Sequence, residues 1–169
     1  MGGDPPRDLG RQAPPCSVSV VDHLHIATTA GAPVQAVDVV QAIPGVGLAG
    51  DRYARGCGHY QDNRVSRDLT LIEAEAIELL ASDHAIELAP GEARRNLTTR
   101  RIDLNELVGC RFWVGDVLCR GTRLCEPCRY LADLTGKQLL QPLVHRGGLR
   151  ADILVGGVIR RGDRIAPAG

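Results

Sequence analysis

From Cys16 onward the chain alternates short apolar runs with polar or glycine-bearing breaks, and a period of two prevails over the helical period of 3.6. S-V-S-V-V-D-H-L-H-I-A, beginning just after Cys16, predicts a strand, and V-Q-A-V-D-V-V-Q-A-I at 34–43 predicts a second, with A-G-A-P between them as a hairpin turn. A long glycine-bearing loop follows, P-G-V-G-L-A-G-D-R-Y-A-R-G-C-G-H-Y-Q-D-N-R, too polar for core and too long for a plain connector, which marks it as functional. D-L-T-L-I at 68–72 predicts a short strand leading into E-A-E-A-I-E-L-L-A-S, the clearest helix, with acidic residues toward its N-terminal end where the helix dipole favours them. A-R-R-N-L-T-T predicts a strand or strand end with polar side chains, and Asp103 begins one helical turn. R-F-W-V-G-D-V-L-C-R predicts two strands joined across Gly115 and Asp116. The segment from Arg129 is weakly helical and broken at Gly136 and Pro142, and L-R-A-D-I-L-V-G-G-V-I-R-R-G-D-R-I predicts a final hairpin turning at Gly156 and Gly157. Closely spaced strands with one good helix predict a mainly β (α+β) barrel with a few helical insertions. Residues 1–15, rich in Pro and Gly and without periodicity, are expected to be a disordered or loosely attached tail, leaving 16–169 as a single domain.

Composition narrows the function classes. At 169 residues the chain can bury a core without metal or disulfide staples, and with 3% aromatic content that core is Val, Leu, Ile and Ala. So few rings leave little surface on which bases could stack. Twenty basic against twenty acidic residues give zero net charge and no global attraction to nucleic acid or membrane. No apolar run spans a bilayer and no secretory leader is visible, so the expected location is the cytoplasm, where thiols stay reduced. Lys137 is the sole lysine, a poor basis for Schiff-base chemistry with pyridoxal phosphate. The remaining cations are arginines, suited to bidentate phosphate or carboxylate binding.

The chemistry concentrates in L-C-E-P-C-R at 124–129. A thioredoxin-like redox pair has proline between its cysteines too, but needs further helix and strands beyond them, and here the chain ends in a predicted hairpin. A structural zinc site would need Cys57 and His59 of R-G-C-G-H to complete the ligand set. Burial as small hydrophobes, the ordinary fate of free thiols, is the expectation for Cys16, Cys110 and Cys119. Cys125 and Cys128 differ, because Pro127 fixes the backbone between them, Glu126 and Arg129 flank them, and a strand end can project them into a pocket.

Together with G-V-G-L-A-G-D-R-Y, R-D-L-T-L-I-E-A-E, L-A-P-G-E-A-R-R-N-L-T-T, I-D-L-N-E-L-V-G, R-F-W-V-G-D-V and G-G-L-R-A-D-I-L-V-G-G-V-I-R-R-G-D, in that order from about Gly45 to Asp163, this segment resembles the MOSC domain family, named for the C-terminal domain of molybdenum cofactor sulfurase. The resemblance implies a closed β-barrel like that of pyruvate kinase, in a small stand-alone bacterial protein. It implies a cysteine that carries sulfur or ligates molybdenum of the molybdenum cofactor (molybdopterin); Cys128 is the match and Cys125 the second candidate. Arg94, Asn96 and Thr98 match the polar cluster that contacts the cofactor, the alternative being a solvated edge strand. Gly50, Asp51 and Arg67 would shape the loop over the same pocket, and His145 and Arg146 would reach its mouth, unless they belong to an ordinary surface loop. Tyr53 stands where many members carry His.

Three functions follow from this resemblance and the thiols. The first is a molybdenum-dependent oxidoreductase reducing a small N-hydroxylated substrate with electrons from a donor protein. The second is a sulfur carrier that takes persulfide sulfur from a cysteine desulfurase and passes it to an acceptor. The third is a zinc-stabilised, non-enzymatic binding module. None requires nucleic acid or membrane, and a monomer or homodimer serves each.

Overall fold

The computed structural model describes residues 18–61 and 68–169. Both the 1–15 tail and Cys16 lie outside the described residues, as does Arg67. The elements run β1 Val20–Ile26, β2 Gln35–Val37, β3 Val39–Ile43, β4 Gly47–Leu48, β5 Leu69–Glu73, α1 Ala74–His84, β6 Leu97–Arg100, a 3-10 turn Asn105–Leu107, β7 Arg111–Val114, β8 Val117–Leu124, α2 Arg129–Thr135, β9 Leu149–Val155, β10 Gly157–Arg160 and β11 Ile165–Pro167.

Strands dominate, as the alternation requires, but the sheets are open and the expected closed barrel does not form. Eight strands make a mixed sheet ordered β11-β7-β8-β9-β5-β6-β1-β2, and three make a second sheet ordered β10-β3-β4. The reason lies in the segment 34–43, which breaks at Asp38. Its first half pairs with β1, Ile26 opposite Gln35, and becomes the outer edge of the large sheet. Its second half leaves to pair with β10, Val40 opposite Ile159. At the other end of β1, a bridge between Val20 and Arg164 and backbone hydrogen bonds such as Val21 N–H to the Asp163 carbonyl at 2.9 Å join it to the chain entering β11, without a ladder between the two strands that would close the sheet.

The final hairpin is also corrected. β9 and β10 are consecutive but do not pair: β9 lies between β5 and β8, while β10 belongs to the small sheet. At the crossing, a Cβ on Gly156 would come within 2.7 Å of the Ala42 carbonyl oxygen, so the change of sheet passes through a point where only glycine fits.

β5, α1 and β6 form a strand–helix–strand unit whose strands are parallel, Leu71 opposite Leu97. Leu69, Thr70, Leu71 and Ile72 are all buried, as befits a strand covered on both faces. One face contributes to a core of Leu, Val, Ile and Ala around Phe112, shared with Val40, Ala42 and Ile159 of the small sheet. Ile72 joins a second cluster with Leu80, Leu131, Leu139 and Leu143, against which Cys128 packs. Two helices therefore seat the dithiol segment on the sheet.

Candidate functional site

At the end of β8 the chain turns into the dithiol. The Cys125 N–H donates to the Gly148 carbonyl at 2.7 Å, which holds the segment against the chain entering β9. Cys128 caps the N-terminal end of α2 in an extended conformation, φ −132°, and its carbonyl accepts the Leu131 N–H at 3.1 Å. Arg95 fastens this turn from the side, donating to the carbonyls of Gly147 at 2.9 Å, Ala93 at 3.0 Å and Cys125 at 3.1 Å. The two thiols differ in access: Cys125 is buried and Cys128 half-buried, and both line one cavity of about 150 Å3. That is below the roughly 300–1,000 Å3 of a site enclosing a drug-sized ligand. It has room for a small oxoanion or for one end of a larger molecule.

The lining is cationic, with guanidinium groups of Arg52, Arg94, Arg95, Arg123 and Arg150 against the single carboxylate of Glu126. Glu126 is itself engaged by His145, whose N–H donates to Oε2 at 2.9 Å and whose Nδ1 lies 2.9 Å from Oε1. Burial alone would raise the Glu126 carboxyl, but the His145 N–H and ring together hold it below its ordinary range. Arg52 is buried and paired with Asp51 at 3.3 Å, and donates to the Arg94 carbonyl at 3.2 Å. Asp51 also accepts the N–H groups of Ala27 at 3.1 Å and Tyr53 at 3.2 Å, so one buried carboxylate ties the long loop to the end of β1.

Arg94 carries a buried donor that no group among the described residues accepts. Its backbone is left-handed, φ 58°, and its Nη1 donates to the Ala32 carbonyl at 2.8 Å, while its Nη2 is buried without a partner. Burial, then the charge of Arg52, lowers its ionisation from the ordinary arginine value. A buried guanidinium N–H with no acceptor is costly unless a ligand supplies one.

The long loop closes the cavity with rings. His59 stacks on Tyr130, centroids 3.7 Å apart and 5° from parallel, and Tyr60 meets Tyr130 edge-on. Tyr60 lies beside Cys128 in the cavity wall; that thiol, then burial, pushes the phenol's ionisation up to about 12. The phenol therefore stays protonated at neutral pH and keeps a donor at the cavity.

Among the residues singled out from sequence, Cys125, Cys128 and Arg94 come together. Asn96 and Thr98 do not join them. Asn96 is buried where β1, β5 and β6 meet: its Oδ1 accepts from the Thr70 N–H at 3.2 Å and hydroxyl at 2.9 Å, and its Nδ2 donates to the His25 carbonyl at 3.3 Å. Thr98 is buried within β6, in register between His23 and Ile72. Gly50, φ 83°, and Asp51 shape the loop rather than face the cavity. His145 reaches the mouth only through Glu126, and Arg146 lies in a separate depression with Glu73 and Asp103. Arg129, the flanking cation, is not in the cavity wall. Cys110 is exposed rather than buried; Cys119 is fully buried, and desolvation followed by the charge of Asp68 pushes its thiol up to about 12.

Cys57 is exposed and His59 is committed to Tyr130. Among the described residues no three His, Cys, Asp or Glu side chains are placed to hold a metal ion, so the zinc tetrahedron is not assembled. No helix among them is long and apolar enough to cross a membrane. Tyr60, Tyr130, Arg52, Arg95, Arg123 and Arg150 were not singled out from sequence as site residues; the arginine-for-lysine bias was their only trace.

Comparisons with known proteins agree with this architecture. The family model described as MOSC domain matches residues 50–166. The YuaD protein from Bacillus subtilis is similar in structure, with a TM-score of 0.73 and 16% identity over 88% of this chain and 94% of that one. YiiM from Geobacillus stearothermophilus gives 0.70 and 13% over 89% and 75%. YiiM from Escherichia coli gives 0.63 and 16% over 88% and 69%. At such identities the likeness is one of fold. No curated protein matches the sequence.

Proposed function

The chain belongs to the MOSC domain family, and on that premise we propose that it binds the molybdenum cofactor with the Cys128 thiolate as metal ligand and reduces N-hydroxylated compounds using electrons from a donor protein. The observation that carries this reading is the buried, unpartnered Nη2 of Arg94 in a cavity that also holds the Cys128 thiol. That donor awaits an anion, and the thiol is a soft ligand. When bound, the metal supplies two-electron redox chemistry. Everything else is the work of the chain. Tyr60 lines the cavity beside the thiol and offers its hydroxyl to a group bound there. Arg94 offers charge-assisted donors to the anionic part of the cofactor, with Arg52 bracing its backbone. Arg95 and Gly148 hold the Cys125 backbone so that Cys128 stays at the cavity wall. Tyr53, Tyr130 and Leu131 contribute apolar surface that limits water around the reacting group.

Reconstitution with the cofactor tests this. Wild-type protein is expected to retain molybdenum and pterin and to reduce an N-hydroxylated base, and Cys128→Ser to lose both. If Cys128→Ser keeps the metal and the activity at wild-type levels, the reading fails.

A second reading, sulfur carriage, draws support from the same neighbourhood, since the Tyr60 hydroxyl in the cavity wall beside Cys128 is a donor for a persulfide anion. Here the outer sulfur of a desulfurase persulfide passes to the Cys128 thiolate, and the desulfurase cysteine leaves as its thiolate. A mass gain of one sulfur on Cys128 after incubation with a cysteine desulfurase supports carriage, and an unchanged mass argues against it.

A further inference from the structure

Among the described residues, two of the cavity's five arginines have no ion-pair partner. Arg123 of β8 and Arg150 of β9 stand directly opposite each other in the antiparallel pair, which places both side chains on one face within reach of one another. Arg150 is in turn opposite Thr70 of β5, whose hydroxyl is held by Asn96, so the donors that these three adjacent strands leave to the cavity are the two guanidinium groups. Like charges in this position repel, and sheets ordinarily avoid them. The arginine ion pairs among the described residues are Arg52–Asp51, Arg100–Asp22, Arg100–Glu78 and Arg120–Asp152; neither Arg123 nor Arg150 is in one. Glu126, the carboxylate in the same lining, turns both oxygens to His145. Arg52 and Arg95 are spent on protein partners, and Arg94 comes from the segment before β6, away from this pair in sequence. Arg150 is also close enough for its charge to act on the Tyr60 phenol beside Cys128.

We propose that Arg123 and Arg150 form a cross-strand clamp for a carboxylate or phosphate group of the substrate, which makes the compounds reduced at Cys128 anionic N-hydroxylated molecules. The proposal rests on the reading of Cys128 as the reacting centre. Two guanidinium forks converging on one oxoanion give several charge-assisted hydrogen bonds at once, and the bound anion relieves the repulsion between them. Selection would therefore act on the charge of the substrate, at a point distinct from the bond being reduced.

Inorganic phosphate, titrated calorimetrically into the purified protein without cofactor, probes the clamp directly. Wild type should bind it with an affinity that falls as salt rises. Arg123→Gln and Arg150→Gln should each weaken binding about tenfold, whereas Arg111→Gln, exposed on β7 and outside the cavity, should leave it unchanged. Arg123→Glu should abolish binding with its Tm held or raised, because the new carboxylate pairs with Arg150; this separates loss of the clamp from loss of the fold. Phosphate binding by both glutamine variants at wild-type affinity would overturn the proposal. In cofactor-loaded protein, Arg150→Gln should raise KM about tenfold for a carboxylate-bearing N-hydroxylated compound and leave KM for its neutral counterpart unchanged. Equal effects on both compounds, or loss of molybdenum and pterin from the variant, would assign the pair to the cofactor's own phosphate and overturn the substrate assignment. The same titration on Cys128→Ser should still show phosphate binding, so failure of the thiol's proposed role and failure of the clamp read out separately.

Discussion

Tyr60 and Cys128 line one cavity although they come from two distant parts of the chain, the long loop before β5 and the turn before α2, and the thiol is the largest cause that pushes the phenol up to about 12. A tyrosine raised above its ordinary value of 10 is favoured in its protonated form by the folded state. Its stabilising contribution is therefore complete below pH 10 and is lost as pH rises from 10 toward 12. Phenolate absorbance should show one tyrosine titrating near the upper end of that window. Cys128→Ala removes the largest cause and should bring that titration down toward 10. An unchanged midpoint in the alanine variant would show that the thiol does not act on the phenol.

Arg94 should separate binding from stability. Its Nη1 bond to Ala32 stabilises the fold, while its buried Nη2 contributes nothing without a ligand. Arg94→Gln is expected to change unfolding free energy by no more than about 1 kcal/mol, since relief of desolvation offsets the lost bond. Retention of molybdenum and pterin should fall by about tenfold or more, the scale of a charge-assisted hydrogen bond. Equilibrium denaturation beside metal analysis checks both halves.

Asn96 should behave the other way. Its side chain closes three hydrogen bonds with Thr70 and His25 in a buried position, joining three strands. Asn96→Ala leaves buried Thr70 and His25 groups unsatisfied and should lower stability by about 2–3 kcal/mol. The effect should appear equally with and without cofactor. A variant of wild-type stability that fails to hold molybdenum would instead return Asn96 to the cofactor site.

These contrasts show what sequence can and cannot reveal here. β5 running into α1, and the turn at Gly115 and Asp116 between β7 and β8, follow from local periodicity and turn chemistry, and both form as read. The break at Asp38 is not legible locally, because V-Q-A-V-D-V-V-Q-A-I reads as one apolar run; the inward face changes parity there, from Val37 to Val40 and Ala42, and the two halves take different partners, Ile26 for one and Ile159 for the other. For the same reason Gly156 and Gly157 looked like a turn although they mark a change of sheet. The site divides similarly. Cys125 and Cys128 stood out because their meaning is local. Arg123 and Arg150 become neighbours only through the β8–β9 register, and Tyr60 reaches Cys128 only when the long loop folds back, so no window of sequence contains either pair.

Gly147 tests whether the seating of the dithiol matters to its chemistry. A Cβ there would run into the Cys125 carbonyl oxygen and come within 3.1 Å of the Pro127 nitrogen, so the backbone between the thiols would have to move. The Gly147 carbonyl is also where Arg95 Nε is anchored, and the shift should therefore loosen the clasp on Cys125. Gly147→Ala is expected to cost about 1–3 kcal/mol, the usual range for overpacking, and to change the alkylation rate of Cys128 at neutral pH. Gly162→Ala supplies the comparison: it carries the strain of a left-handed residue, φ 90°, but meets open space. It should lose about 1–2 kcal/mol with no change in Cys128 reactivity. If the two variants alter Cys128 alike, the close approach of Gly147 does not position the thiol, and the alignment of Cys128 in the cavity depends instead on α2 and the cluster beneath it.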